Sequence, residues 1–308
     1  MKIVFMGTPA AAARSLERLI ADGHEIAAVY TQPDRPSGRG NKIVFSPVKE
    51  VAIANGLHVM QPTKVKTAEA AEEFRAFNAD VAVVVAYGRI LPEAFLNAFP
   101  GGAVNVHFSL LPKYRGAAPV NWAIVNGEIE TGVTTMMMDT GLDTGPMLLQ
   151  EKTAIGEGES SIELMEGLAE LGANILARTL SDIETTVPRP QDDSLATFAP
   201  ILSKADGLID WTLSAVRLAR RVRGFQPFPT AYTFIGGKRL TIWNAEPIEL
   251  EHVPAAGTLI ESHGDSFVVA CGENTAIKIN ELQIEGKRRV NARDFNNGIK
   301  PETGSVLG

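Results

Sequence analysis

The segment Asn105-Val-His107-Phe-Ser109-Leu-Leu-Pro112 sets an amide and an imidazole two residues apart. A second segment, Asp139-Thr-Gly141-Leu-Asp143-Thr-Gly145, adds carboxylates in a glycine-punctuated turn. Val104 and Val106 flank Asn105 and favour a strand there. Side chains two apart on a strand share a face. An amide donor beside a proton-transfer group suits transfer of an acyl group to an amine. The carbonyl oxygen gains charge as its carbon becomes tetrahedral, and Asn and protonated His both donate to it. Removing one such donor typically costs ~10²–10³ in rate. A carboxylate near an imidazole favours the protonated ring, which makes a shared carrier for the proton the amine loses. Asn105, His107 and Asp143 are sufficient for this chemistry. No metal or covalent intermediate is required.

Other chemistries fit less well. His24, His58, His252 and His263 are scattered, without the H-E-x-x-H spacing of zinc hydrolases. No G-x-S-x-G elbow marks Ser109 as a nucleophile. Gly141 breaks the alternating oxygen ligands that a calcium loop needs. Gly7-Thr-Pro9 is a strand-to-helix turn and not a G-x-G-x-x-G fingerprint. Nothing acidic follows Tyr30-Thr31 to hold a dinucleotide ribose.

The site residues need a sheet to hold them. Apolar runs at 2–6, 26–30, 81–86, 103–107 and 133–138 read as strands. Helical patterns lie between them at 10–21, 47–55, 68–77, 92–98, 119–125 and 161–180. This alternation implies an α/β fold, a doubly wound, Rossmann-like, mostly parallel sheet. Ligands bind such sheets at the carboxyl ends of the strands. Asn105 and His107 end one strand and Asp143 follows the next, so the three can converge there. Residues 188–204, with Pro188, Pro190 and Pro200, read as a linker. Beyond them come one helix and short β runs separated by glycines, a small OB-like antiparallel barrel. The expected domains are thus 1–187 and 205–308.

The 308-residue chain has one cysteine, so it has no internal disulfide or Cys-based metal site. That fits a reducing compartment. No signal-peptide pattern or membrane-length apolar run is visible, and a cytoplasmic protein is expected. The net charge is −7. Residues 204–308 carry 13 Lys+Arg and 12 Asp+Glu, a net of +1, so the acidity lies in the first part. Local basic clusters matter more than the sum. Arg35, Arg39, Lys42 and Lys49 lie in or beside a Gly/Pro loop. Arg217, Arg220 and Arg221 share a helix face, with Arg223 just beyond. Lys238-Arg239 and Lys287-Arg288-Arg289 fall at expected barrel turns. A barrel with basic loops is a common RNA platform.

These residues resemble the formyltransferase family that uses 10-formyltetrahydrofolate, over nearly the whole length. The family's Asn-x-His strand appears as Asn105-Val-His107. Its folate-contacting turn appears as Ser109-Leu110-Leu111-Pro112, continuing through Tyr114-Arg-Gly-Ala-Ala-Pro119. Its catalytic loop appears as Gly132 through Asp139, Asp143 and Gly145. Thr31 to Lys42, Ser46-Pro-Val-Lys49, and Ile209-Asp-Trp211 through Pro229 resemble the branch that acts on tRNA. Position 108 departs from the pattern. It is Phe where many relatives have a small residue, and alternation sends it to the opposite face, where it would pack.

The resemblance implies formyl transfer from 10-formyltetrahydrofolate to the α-amino group of methionine on initiator tRNA, with no metal. Asn105 and His107 would hold the formyl oxygen, and Asp143 would tune His107 and help remove the amine proton. Folate would lie against Ser109–Pro112, with Tyr87, Gly88, Arg89, Ile90 and Leu91 as a wall and Asp139 nearby. Arg35, Arg39, Lys42, Arg217, Arg220, Arg221, Lys287 and Arg288 would contact tRNA. One chain carries the whole site, so a monomer is expected. The alternatives are a folate-dependent formyltransferase acting on a small amine or amino-sugar nucleotide, a folate hydrolase using the same three residues, and a non-catalytic RNA-binding protein. The cationic loop and basic second domain argue against an enzyme acting on glycinamide ribonucleotide, the residues alone leave the amino-sugar enzyme open, and the intact Asn105, His107 and Asp143 argue against the last.

Overall fold

The computed structural model describes residues 1–37 and 42–308, with the backbone alone described at 36, 37 and 42. Its strands are β1 (Lys2–Gly7), β2 (Glu25–Tyr30), β3 (Arg35–Ser37), β4 (Lys42–Val44), β5 (Val59–Met60), β6 (Val81–Val85), β7 (Ala103–His107), β8 (Arg115–Gly116), β9 (Glu130–Met137), β10 (Met147–Ala154), β11 (Phe198–Ala199), β12 (Ala231–Ile235), β13 (Lys238–Ile248), β14 (Leu259–His263), β15 (Ser266–Cys271), β16 (Thr275–Ile284) and β17 (Val290–Asn291). Its α-helices are α1 (Ala10–Ala21), α2 (Pro47–Ala54), α3 (Ala68–Arg75), α4 (Glu93–Leu96), α5 (Pro119–Asn126), α6 (Ser161–Ser181), α7 (Ala215–Gly224) and α8 (Ala292–Ile299). They form two compact units. The first comprises Met1–Gly116, Glu130–Ala154 and Met165–Ala199, and the second Ala117–Ile129, Ile155–Leu164 and Pro200–Gly308.

The first unit is built on a seven-stranded sheet in the order β10-β9-β7-β6-β1-β2-β5. The five strands from β5 to β7 run parallel. Every residue of β6 and β7 is buried, which explains their almost unbroken apolar sequence. β9 runs antiparallel to β7, and β10 runs antiparallel to β9. The expected mostly parallel sheet is therefore present, with an antiparallel edge that the sequence did not signal. Chain order reverses between β1 and β6, the place where such sheets open a ligand crevice. Gly7 closes β1 because α1 starts at once: a Cβ there would lie 2.7 Å from that of Ala12. Ser46 caps α2 through Lys49 N, and Thr67 caps α3 through Ala70 N.

An apolar cluster fixes the end of β6. Phe74 stacks on Phe95 with centroids 4.2 Å apart and lies 4.9 Å from Phe99. Tyr30, Tyr87 and Leu91 belong to the same cluster. The buried hydroxyls of Tyr30 and Tyr87 have no hydrogen-bond partner, and burial pushes both phenols up in pKa. Tyr87→Phe removes a desolvated hydroxyl and keeps the ring. It is expected to raise stability by up to about 1 kcal/mol. A urea midpoint read at unchanged slope checks this, and a fall of similar size would mean that the hydroxyl is bonded.

The second unit centres on an antiparallel sheet in the order β12-β13-β16-β15-β14, with β17 paired to β16. This is the all-antiparallel architecture expected after the linker. Its core contains Trp211, Leu218, Val222, Leu240, Ile242, Phe267, Ile279, Leu282 and Phe295. α7 buries Ala215, Leu218 and Val222, one face of a helical repeat. No α-helix among the described residues is long and apolar enough to cross a membrane.

Candidate active site

β7 delivers Asn105 and His107 to one face of the first unit's sheet. A Cβ on Gly172 of α6 would touch Val106 and Phe108, each at 3.2 Å, so these two face the helix. Asn105 and His107 alternate to the other side. Both are buried, at 8% and 5% exposure. Phe108 is buried against α6 and does not share the His107 face.

The imidazole is held by its two nitrogens. Nε2 lies 2.9 Å from the carbonyl of Tyr114, and a carbonyl only accepts, so Nε2 carries its proton. Nδ1 lies 3.7 Å from Oδ2 of Asp143. The same carboxylate oxygen accepts from Gly116 N at 2.8 Å. Nδ1 is therefore the ring nitrogen that faces the Asp143 carboxylate. Tyr114 and Asp143 have φ of 61° and 53°, a left-handed conformation costing of order 1 kcal/mol or more for a residue with a side chain.

The first loop is tied both internally and to β9 and β10, and the second from within. Ser109 Oγ donates to Lys113 O at 2.6 Å, and Thr134 Oγ1 donates to Ser109 O at 2.7 Å. Leu111 N donates to Thr134 Oγ1 at 3.2 Å, Gln150 Nε2 donates to Leu111 O at 3.0 Å, and the Leu111–Pro112 peptide is cis. Leu111 is buried, while Leu110 and Pro112 are half-buried. In the second loop Asp139 Oδ1 accepts from Gly141 N at 3.0 Å and Thr144 Oγ1 at 2.7 Å. A methyl group on Gly145 would fall on the carbonyl of Met137. Asp139 thus shapes the loop that carries Asp143.

The wall expected from Tyr87 to Leu91 follows β6. The Tyr87 side chain is in the core, and its carbonyl accepts from Thr8 Oγ1 at 3.3 Å and Gln32 Nε2 at 3.0 Å. Gly88 has φ of 79°, Leu91 is buried, and Ile90 is 73% exposed. Arg89 donates to Gln32 Oε1 at 3.2 Å and Thr63 O at 2.7 Å. A cavity of about 650 Å³ beside it is lined by Thr63, Lys64, Lys66, Arg89 and Ile90.

The sequence did not reveal the partners of these groups. Residues 188–199, expected as linker, pair with the turn after β7. β11 pairs with β8, and Thr197 Oγ1 accepts from Tyr114 N at 2.9 Å. Gln191 Nε2 donates to the carbonyls of Asp143 and Gly145, both at 2.8 Å. Backbone carbonyls have no side-chain signature, and a polar Pro-rich run resembles a solvated loop.

The expected cationic residues divide into two kinds. Arg35 is exposed and belongs to the β3–β4 hairpin. Arg39 lies outside the described residues, as does the Lys42 side chain. Lys49 pairs with Asp34 at 2.5 Å and with Gln61 at 2.9 Å, and it sits 4.0 Å from the Phe45 ring. Its ammonium, hydrogen-bonded to Asp34, holds that carboxyl below its usual pKa. In the second unit Arg217, Lys287 and Arg288 are exposed. Arg221 donates to Asp206 O at 2.7 Å, and Arg223 donates to Glu159 O at 2.9 Å. The Arg220 guanidinium lies against Gly127. Arg239 stacks 3.9 Å from the Tyr232 ring, and Arg289 pairs with Glu281.

Comparison with known proteins sets this geometry in a family. Residues 1–180 match the formyl transferase family and residues 201–300 match the formyl transferase C-terminal domain. The methionyl-tRNA formyltransferase of Caldanaerobacter subterraneus subsp. tengcongensis is 48% identical over 310 residues, covering 100% of both chains. That of Solibacter usitatus is also 48% identical, covering 100% of this chain and 99% of the relative. That of Geobacter sulfurreducens is 46% identical, covering 100% and 97%. The fold resembles the sugar 3N-formyl transferase WlaRD, solved with dTDP and 5-N-formyl-THF, at TM-score 0.68 and 18% identity, covering 94% and 99% of the two chains. It also resembles HypX from Aquifex aeolicus, solved with tetrahydrofolic acid, at TM-score 0.66 and 16% identity, covering 96% of this chain and 47% of that one. A buried imidazole beside a loop carboxylate, on a chain aligned end to end with these relatives, places it: the chain belongs to the methionyl-tRNA formyltransferase family.

Proposed function

We propose that this chain transfers the formyl group of 10-formyltetrahydrofolate to the α-amino group of methionyl initiator tRNA. The observation that carries this reading is the imidazole of His107, with Nε2 fixed by a carbonyl and Nδ1 beside Asp143. The attacking amine adds to the formyl carbon, whose oxygen gains charge. Asn105 donates to that oxygen, and the protonated His107 adds a charge-assisted donor. The amine nitrogen loses a proton to the Asp143 carboxylate of the His107–Asp143 pair, directly or through water. The intermediate then collapses, the bond to folate N10 breaks, and that nitrogen takes up the proton held by the pair.

The folate suits Ser109–Pro112 on one side and Gly88–Leu91 on the other. Asp139 acts there by shaping its loop. The cavity cations Lys64, Lys66 and Arg89 match the carboxylates of a folate glutamate.

The exposed cations Arg35, Arg217, Lys287 and Arg288, together with Arg39 and Lys42, are the candidates for phosphate contacts. Arg220 and Arg221 hold the second unit together and reach tRNA less readily. Arg35→Ala is expected to raise the KM for tRNA several-fold, leave that for folate unchanged and reduce the salt slope of binding by about 1. Equal losses for both substrates would remove Arg35 from the tRNA surface.

Labelled formyl transfer to initiator methionyl-tRNA, elongator methionyl-tRNA and free methionine tests the reading. Product on the initiator alone is expected. Product on a free small amine, or release of formate alone, would move the substrate elsewhere.

A further inference from the structure

Residues 181–200 lie outside both matched family ranges. Their bonds converge on the Asp143 loop and on the turn that holds His107. Thr197 O accepts from Arg115 N at 2.9 Å, and Thr197 N donates to Pro112 O at 3.3 Å. The Gln191 amide nitrogen donates to two carbonyls, those of Asp143 and Gly145. One belongs to the left-handed residue Asp143 itself and the other lies two residues on. Gln191 Oε1 is taken by Arg115, with Nε at 3.0 Å and Nη2 at 2.8 Å. Arg115 is 4% exposed and also pairs with Asp193 at 2.7 Å. A guanidinium only donates, so it forces the amide oxygen toward itself and the NH₂ toward the loop. The residue after Arg115 is Gly116, whose N–H holds the Asp143 carboxylate.

We propose that Gln191, oriented by Arg115, is a positioning residue for formyl transfer: it holds the Asp143 loop so that the carboxylate meets Nδ1 of His107. Residues 188–199 are a strap across the site and not a passive connector. This rests on the reading of Asn105, His107 and Asp143 given above. Misplacement of a reacting group by about 1 Å can cost ~10²-fold in rate.

Two variants separate positioning from mere packing. Gln191→Ala removes both ends of the clamp. Gln191→Glu keeps the acceptor for Arg115 but turns two donors into acceptors facing two carbonyls. Formyl transfer from 10-formyltetrahydrofolate to initiator methionyl-tRNA is measured for both beside the wild type. Rates are normalised to donor-binding sites, so partly unfolded protein does not count. Both variants are expected to lose about 10–100-fold in kcat, with KM for the donor and for tRNA within threefold. Wild-type kcat in Gln191→Glu would overturn the proposal, as would a loss confined to KM or to donor binding. A wild type that transfers nothing would instead reject the reading of the site.

Discussion

His107→Ala is expected to lower the rate of formyl transfer by about 10³-fold or more, with folding and tRNA affinity near normal. The imidazole has two tasks in the proposed reaction. As a donor to the forming oxyanion it contributes ~10²–10³. As a proton carrier it contributes ~10²–10⁴. The tasks share one ring, so the two factors do not multiply. The fold loses little, because the ring's hydrogen bond is one contact to the Tyr114 carbonyl, a contribution of about 1 kcal/mol. Single-turnover transfer and a melting curve read the two effects separately. Turnover within tenfold of the wild type would reject the role of His107.

Asp143→Asn is expected to cost about 10²–10⁴-fold in the same step. Asparagine has the same shape and tolerates the left-handed φ of 53° at this position. It still offers an oxygen to the Gly116 N–H that now binds Oδ2. The substitution therefore removes charge and leaves the loop in place. Alanine here would mix loss of charge with backbone strain and loss of that bond. If the carboxylate serves only to shape the loop, Asp143→Asn turns over like the wild type. Equal loss in both variants makes charge the cause.

The parallel strands were readable because burial on both faces leaves almost nothing but apolar residues in them. β7 occupies the residues expected of it, 103–107, with Asn105 and His107 on one face. β10 was missed because it is a half-exposed edge strand, with Gln150, Glu151 and Lys152 in its middle. The direction of β9 was also hidden. Its apolar pattern is the same in either direction, and the structure pairs it antiparallel to both β7 and β10. The site was legible in its side chains and illegible in their backbone partners. Nothing in Tyr114, Gly116 or Thr197 announces that a carbonyl, an amide and a hydroxyl will fix His107, Asp143 and the turn between them. The arginines of α7 read as one exposed stripe because i, i+3, i+4 spacing shows which residues share a face and not what that face meets. Arg217 is exposed, whereas Arg221 and Arg223 donate to carbonyls of their own unit.

The most direct measurement is single-turnover transfer of labelled formyl from 10-formyltetrahydrofolate to initiator methionyl-tRNA, by the wild type and His107→Ala side by side. The account predicts rapid formation of N-formylmethionyl-tRNA by the wild type and a rate about 10³-fold lower in the variant, at saturating concentrations of both substrates. Equal rates in the two proteins, or no product from the wild type, would contradict it.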